Sequence, residues 1–212
     1  FWFGAMSKKP IIVFEGIEGT GKSYHIDNVA NYLKIKKKKF IQIREPGGSK
    51  NSEKIRKLIL NNKSTFNKYT DLLLYLSARS ENVELIKKNI GKKIILIDRF
   101  SDSTIAYQHY GMGINLKFIK SINNYLLKGI EVDFTFLNIV NESNMKKRLI
   151  KRKNLNRYDK FSNKFYDKVQ KGFLKIFKAN PRKYMKIDSN LPIDQNEIIV
   201  LNKVKGLIWI WN

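Results

Sequence analysis

At 212 residues, 42% hydrophobic and 28% charged, the chain is long enough for one domain with a sizeable core and short for two. It has no cysteine and only two histidines, which excludes a disulfide framework and a thiolate metal site; this fits a reducing compartment, and a cytoplasmic location is expected. The formal charge of +24 implies attraction to an anion (nucleotide, nucleic acid or acidic surface) without choosing among them, and lysines spread along the chain read mainly as solvated faces.

Residues 1–5 are apolar and precede a natural-looking start at Met6, so they are set aside as a remnant, and one domain is expected over 6–212. Pro10 to Phe14 reads as a short buried strand, followed by glycines and an amphipathic helix over Lys22 to Ile35. Phe40 to Ile43 is a second strand. Ser52 to Leu60 and Asp71 to Ile90 have helical spacing, the latter stopped by Gly91. Lys93 to Ile97, Phe134 to Ile139 and Tyr184 to Ile187 complete five strands, each flanked by helical segments. Such alternation predicts an α/β fold, a five-stranded, mostly parallel sheet with helices on both faces, and the glycine motif Gly16 to Ser23 between the first strand and helix makes it the P-loop NTPase kind. No apolar run approaches the roughly 20 residues of a membrane span. The apolar tail Leu207 to Trp211 is open to three readings: a packed terminal helix, a dimer contact or an exposed face.

The strongest chemical signal is Gly16, Ile17, Glu18, Gly19, Thr20, Gly21, Lys22, Ser23, which fits G-x-x-x-x-G-K-[ST] between a predicted strand and a predicted helix. Glycines let successive N–H groups turn toward phosphate oxygens, and the helix N-terminus adds its positive end. Lys22 reaches the outer phosphates, and Ser23 offers a hydroxyl to Mg²⁺. Arg44 and Arg99 stand at the C-terminal ends of two strands, where ligands gather in open α/β sheets, and either clamp a second phosphate or pair with nearby acids. Asp98 ends an otherwise apolar strand and reads as the acid that organises Mg²⁺, or as a structural hydrogen-bonding group. Tyr75 and Arg79, four apart on one helical face, can approach the same base; an aromatic at that spacing equally serves a core.

In order along the chain, Phe14-Glu15-Gly16-Ile17-Glu18-Gly19-Thr20-Gly21-Lys22-Ser23, Arg44-Glu45-Pro46-Gly47-Gly48, Leu73 to Arg79, Asp98-Arg99-Phe100, Ser103-Thr104-Ile105-Ala106-Tyr107-Gln108 and Lys151 to Arg157 resemble the thymidylate kinase family. The resemblance implies transfer of the ATP γ-phosphate to thymidine monophosphate (dTMP), Mg²⁺ as cofactor, and a homodimer, with no membrane partner and no specific nucleic acid. On it, Glu18 meets the acceptor's 3′-hydroxyl, and Arg44, Pro46, Tyr75, Arg79, Arg99, Thr104, Tyr107 and Gln108 surround dTMP, Tyr107 favouring deoxyribose. Gly19 stands where some relatives carry a loop arginine, so the chain is similar to the bacterial type, whose lid supplies it; Arg152 and Arg157, in a lid around 151–158, match. Two departures are Tyr75 for the family's usual Phe and Lys153 for a lid glycine; His109 and Tyr110 also differ and are given no role. Another nucleoside or nucleoside monophosphate kinase is the alternative. A basic nucleic-acid-binding protein is more remote, because no RNA-recognition or helix-turn-helix pattern accompanies the charge.

Overall fold

Side chains of a strand alternate between the two faces of its sheet, and here that alternation sorts the apolar residues into two cores. In the computed structural model, which describes residues 9–152 and 155–210, the strands are β1 (Ile11–Glu15), β2 (Phe40–Arg44), β3 (Ile94–Asp98), β4 (Phe134–Ile139) and β5 (Tyr184–Asp188). All neighbours are parallel, in the order β2-β3-β1-β4-β5. The helices are α1 (Lys22–Ile35), α2 (Lys50–Leu60), α3 (Lys68–Asn89), α4 (Ser101–Thr104), α5 (Leu116–Leu126), α6 (Glu142–Ile150), α7 (Asn163–Ala179) and α8 (Ile193–Ile210). Residues 1–5, Lys153 and Trp211 lie outside the described residues.

Ile12 and Phe14 of β1, Ile94 and Leu96 of β3, and Phe134 and Phe136 of β4 face one way, against Ile26, Val29 and Leu33 of α1 and Val200, Val204 and Ile208 of α8. Ile11, Val13, Ile95 and Ile97 face the other way, against Val83 and Ile86 of α3. β1 is buried on both faces throughout, which is why it reads as an unbroken apolar run. The first part of the C-terminal apolar tail resolves as packing: Ile208 is buried against the α1 side of the core.

The helices differ from their sequence limits where caps reach further. Asn67 accepts from Tyr69 N and Thr70 N, so α3 opens at Lys68; Ser49 accepts from Ser52 N, so α2 opens at Lys50. β1 and β3 run one residue past their apolar stretches, to Glu15 and Asp98, because ladder pairing continues through Phe14–Asp98 and Glu15–Leu137. The segment after α4 is a π-helix, Ile105–Gly111, although Thr104, Tyr107 and Gln108 have the spacing of a regular helix in the sequence. It packs on α7 so closely that a Cβ at Gly172 would strike the Tyr110 ring.

Phe14 and Phe136 stack at 5.0 Å in the centre of the α1/α8 core, and both are fully buried. Phe136→Ala should therefore lower the unfolding free energy by about 3–5 kcal/mol in urea titration.

Candidate active site

The turn between β1 and α1 is built so that backbone, not side chain, lines it. Gly16 has φ 138°, and a Cβ there would collide with the Asn138 carbonyl of β4. The N-cap of α1 is Gly21, with no capping side chain, so the first N–H groups of the helix are left for an anion. Lys22 Nζ donates to the carbonyls of Gly16 at 2.9 Å and Ile17 at 2.8 Å, and to Thr20 Oγ1 at 3.2 Å. Burial pulls its ammonium down to about 7, and neighbouring Arg99 adds to that, against Asp98, Glu18 and Glu15.

Arg99 leaves β3 with φ 64°, a left-handed conformation uncommon for a side chain of this size. Its guanidinium donates to Gly16 O at 2.7 Å and Glu18 Oε1 at 2.8 Å, and lies over the Tyr107 ring. Tyr107 in turn donates its hydroxyl to the other Glu18 oxygen. Burial works against charge on Glu18, yet Arg99 and Lys22 hold its carboxyl below the usual range. The turn after Arg99 hangs from Glu15, whose Oε1 accepts from Phe100 N at 2.8 Å and Ser103 N at 3.2 Å and whose Oε2 accepts from the Ser103 hydroxyl at 2.5 Å.

Facing this charge is a cavity of about 320 Å³. The structure brings Glu18, Gly19, Thr20, Gly21, Lys22, Ser23, Arg44, Pro46, Tyr75, Arg79, Asp98, Arg99, Thr104, Tyr107, Gln108 and Arg152 to its wall. Gly16 and Ile17 lie behind that wall: Ile17 is buried against Leu137 and Met145, and both contribute carbonyls to Lys22. Arg44 is half-exposed and bidentate with Glu53, at 3.0 and 2.9 Å. Arg79 is 1% exposed and tied to Glu45 at 2.8 Å and to Asn123 at 2.6 Å, so most of its donors are already engaged. Burial raises Glu45, which Arg79 only partly offsets. The Thr104 hydroxyl, the Gln108 amide nitrogen and Asp98 Oδ1 are buried without partners in the protein. On the open side Arg152 donates to Asp159 at 2.6 Å. Arg157 is not brought to the cavity: Asp71 of α3 holds it, together with the Tyr158 hydroxyl, while Tyr158 itself lines the wall.

A family model described as thymidylate kinase matches residues 14–198. The chain belongs to the thymidylate kinase family. It is 37% identical over 200 residues to the thymidylate kinase of Thermosipho africanus, covering 93% of this chain and 96% of that one. It is 34% identical over 209 residues to that of Clostridium novyi, covering 96% and 100%. The crystal structure of thymidylate kinase from Ehrlichia chaffeensis superimposes with a TM-score of 0.74 at 30% identity, over 92% of this chain and 98% of that one. No helix among the described residues is long and apolar enough to cross a membrane.

Several residues of this site are given no role by the sequence. Arg56 donates to Pro46 O at 2.6 Å on the cavity wall, and Phe100 and Ser103 also line it. Glu15 has a legible signal, a carboxylate at the end of a buried strand; Glu45, just past the half-buried β2, and Asp71 and Asn123, each polar on an ordinary helix, have none.

Burial, and then the nearby Asp102, push the Glu15 carboxyl from the usual carboxylate range near 4.5 up to about 8. A carboxyl whose folded pKa lies above its unfolded one favours folding while protonated. Its contribution is complete below about 4.5 and is lost as pH rises through about 8. Glu15→Gln should accordingly flatten the fall in unfolding free energy between those two values, measured by urea titration at stepped pH.

Proposed function

We propose that this cleft transfers the γ-phosphate of ATP to the phosphate of dTMP, giving dTDP and ADP for dTTP synthesis. The observation that carries the reading is one cavity with two anion-binding walls: the glycine-lined turn with Lys22 on one side, and Arg44 and Arg99 at the ends of β2 and β3 on the other. An oxygen of the acceptor phosphate attacks the γ-phosphorus, and the bond to the β-phosphate oxygen breaks as ADP leaves. Such a transfer asks for positioning and for positive charge where negative charge spreads.

Lys22 and the amides of 19–23 hold the donor phosphates. A triphosphate beside Lys22 favours its charged form, so binding near neutral pH takes up a proton. Arg99, already aimed between the loop and Tyr107, clamps the acceptor phosphate, with Arg44 beside it once Glu53 shares it. Glu18 has free lone pairs for the 3′-hydroxyl despite its two donors. Tyr107 lies against it where a ribose 2′-hydroxyl would crowd. Tyr75, Pro46 and Arg79 form the base wall, with Thr104 and Gln108 offering unused polar groups to the pyrimidine edge.

The residues fit Mg²⁺: Asp98 has a buried, unpartnered oxygen and Ser23 opens onto the same cavity. Among the described residues no group of three or more acids or histidines converges, so the cation would be shared with substrate phosphates. When bound, it neutralises the charge on the transferring group. The lid around 151–158 supplies Arg152, which exchanges Asp159 for phosphate. Arg157 would have to leave Asp71 to do the same, and as it stands it fastens the lid to α3. The unit is read as one domain over 6–212 that pairs as a homodimer, the association that family likeness supports.

An ADP-release assay over dTMP, dUMP, UMP and AMP should show turnover with dTMP well above the purine and ribose acceptors. The margin over dUMP should be smaller, because one methyl group is worth only about 1–3 kcal/mol. Lys22→Ala should lower turnover by roughly 10²-fold or more. Arg152→Ala should cut kcat by about 10³-fold with dTMP binding retained, and Arg157→Ala should do less; an unimpaired Arg152→Ala enzyme would remove the lid from the mechanism.

A further inference from the structure

Two carbonyls of the phosphate loop are held from outside the cleft by residues far along the chain. Arg148 of α6 donates to Gly19 O at 2.8 Å and, with its other terminal nitrogen, to Ser189 O at 2.6 Å. The Ser189 hydroxyl, in the turn after β5, donates to Thr20 O at 2.8 Å. Gly19, Arg148, Ser189 and Thr20 thus close a ring behind the loop. Ser189 and Thr20 are buried, at 4% and 1% exposure, so the Ser189 bond is shielded from water, whereas Arg148 stands on the exposed side of α6.

A trans peptide points its C=O and N–H in opposite directions. Among the described residues the only cis bond is Glu45-Pro46, so both loop peptides are trans. Fixing Gly19 O outward therefore turns Thr20 N–H toward the cleft, and fixing Thr20 O outward does the same for Gly21 N–H. Neither N–H donates to any described residue, and both residues line the cavity. The first half of the loop is arranged the other way, with the carbonyls of Gly16 and Ile17 turned to Lys22. Gly19 itself has φ 72°, so a side chain at this position would be strained by the backbone, although it would meet Met145 and Arg148 only at ordinary contact distance.

We infer that Ser189 and Arg148 are positioning residues for ATP: by anchoring two carbonyls from behind, they aim the Thr20 and Gly21 amides at the donor phosphates. Neither touches substrate. The inference rests on the reading of residues 16–23 as the ATP phosphate cup.

The test measures ATPγS binding by calorimetry and steady-state kinetics for both substrates in Ser189→Ala, Arg148→Ala and Arg148→Lys. Ser189→Ala leaves a buried carbonyl unpaired and should weaken ATPγS binding and raise KM for ATP about tenfold. Arg148→Ala, more exposed, should do so about fivefold. Arg148→Lys, able to satisfy one carbonyl but not both, should fall between Arg148→Ala and wild type. KM for dTMP should stay within about twofold, as expected for a site with separate partners. Folded Ser189→Ala and Arg148→Ala proteins with wild-type ATP affinity would overturn the inference, as would equal losses for ATP and dTMP, which mark a general structural role. Failure of wild-type protein to bind ATPγS would instead bring down the phosphate-cup reading beneath it.

Discussion

Arg44 on β2 and Phe14 on β1 both pair with Asp98 on β3, so three parallel strands end level with one another. The turns that leave them (the glycine loop, the Glu45-Pro46 segment and the Arg99 turn) must then emerge into the same space. That register is what every later feature depends on. It puts Lys22, Arg44, Asp98 and Arg99 around one cavity although they come from three separate stretches of sequence, and it follows from which apolar residues of β1 and β3 must face α1 and which α3.

Concentrated charge at the end of a buried sheet carries a desolvation cost, and the structure offsets it with close pairing. Glu18 is shared by Arg99 and Tyr107, Glu45 is paired with Arg79, and Glu15 is held by backbone and hydroxyl donors. Arrangements of this kind add little net stability but fix geometry, because removing one member leaves another uncompensated. Among the buried groups without protein partners, the Thr104 hydroxyl, the Gln108 amide nitrogen and Asp98 Oδ1 lie on the cavity wall, open to a bound molecule.

The fold was legible because its signals are local. Five apolar runs between helical segments give the sheet, and Gly16 to Ser23 marks its functional end whatever surrounds it. The cavity wall was legible residue by residue only through likeness to a family, since nothing about an isolated Tyr75 or Thr104 separates packing from binding. What could not be read were pairings across long stretches of chain. Arg157 matches a lid arginine in sequence, yet Asp71, 86 positions away, holds it outside the cavity. Arg79 reads as a base contact, but Glu45 and Asn123 engage most of its donors. Periodicity predicts a regular helix at Thr104 to Gln108 and carries no sign of the wider turn that α7 accommodates.

That wider turn makes the length of the chain here as consequential as its composition. A π turn holds more backbone than an α turn, so removing residue 108 or 109, between Tyr107 and Tyr110, would allow a regular helix, by local criteria an improvement. It would also rotate everything on one side of the deletion by roughly 100° about the axis relative to the other. Tyr107 could then no longer meet Glu18 while Tyr110 kept its seat on Gly172. Substitutions along this segment are graded in effect, whereas a single-residue deletion forces a choice between the wall of the cavity and the packing of the helix behind it.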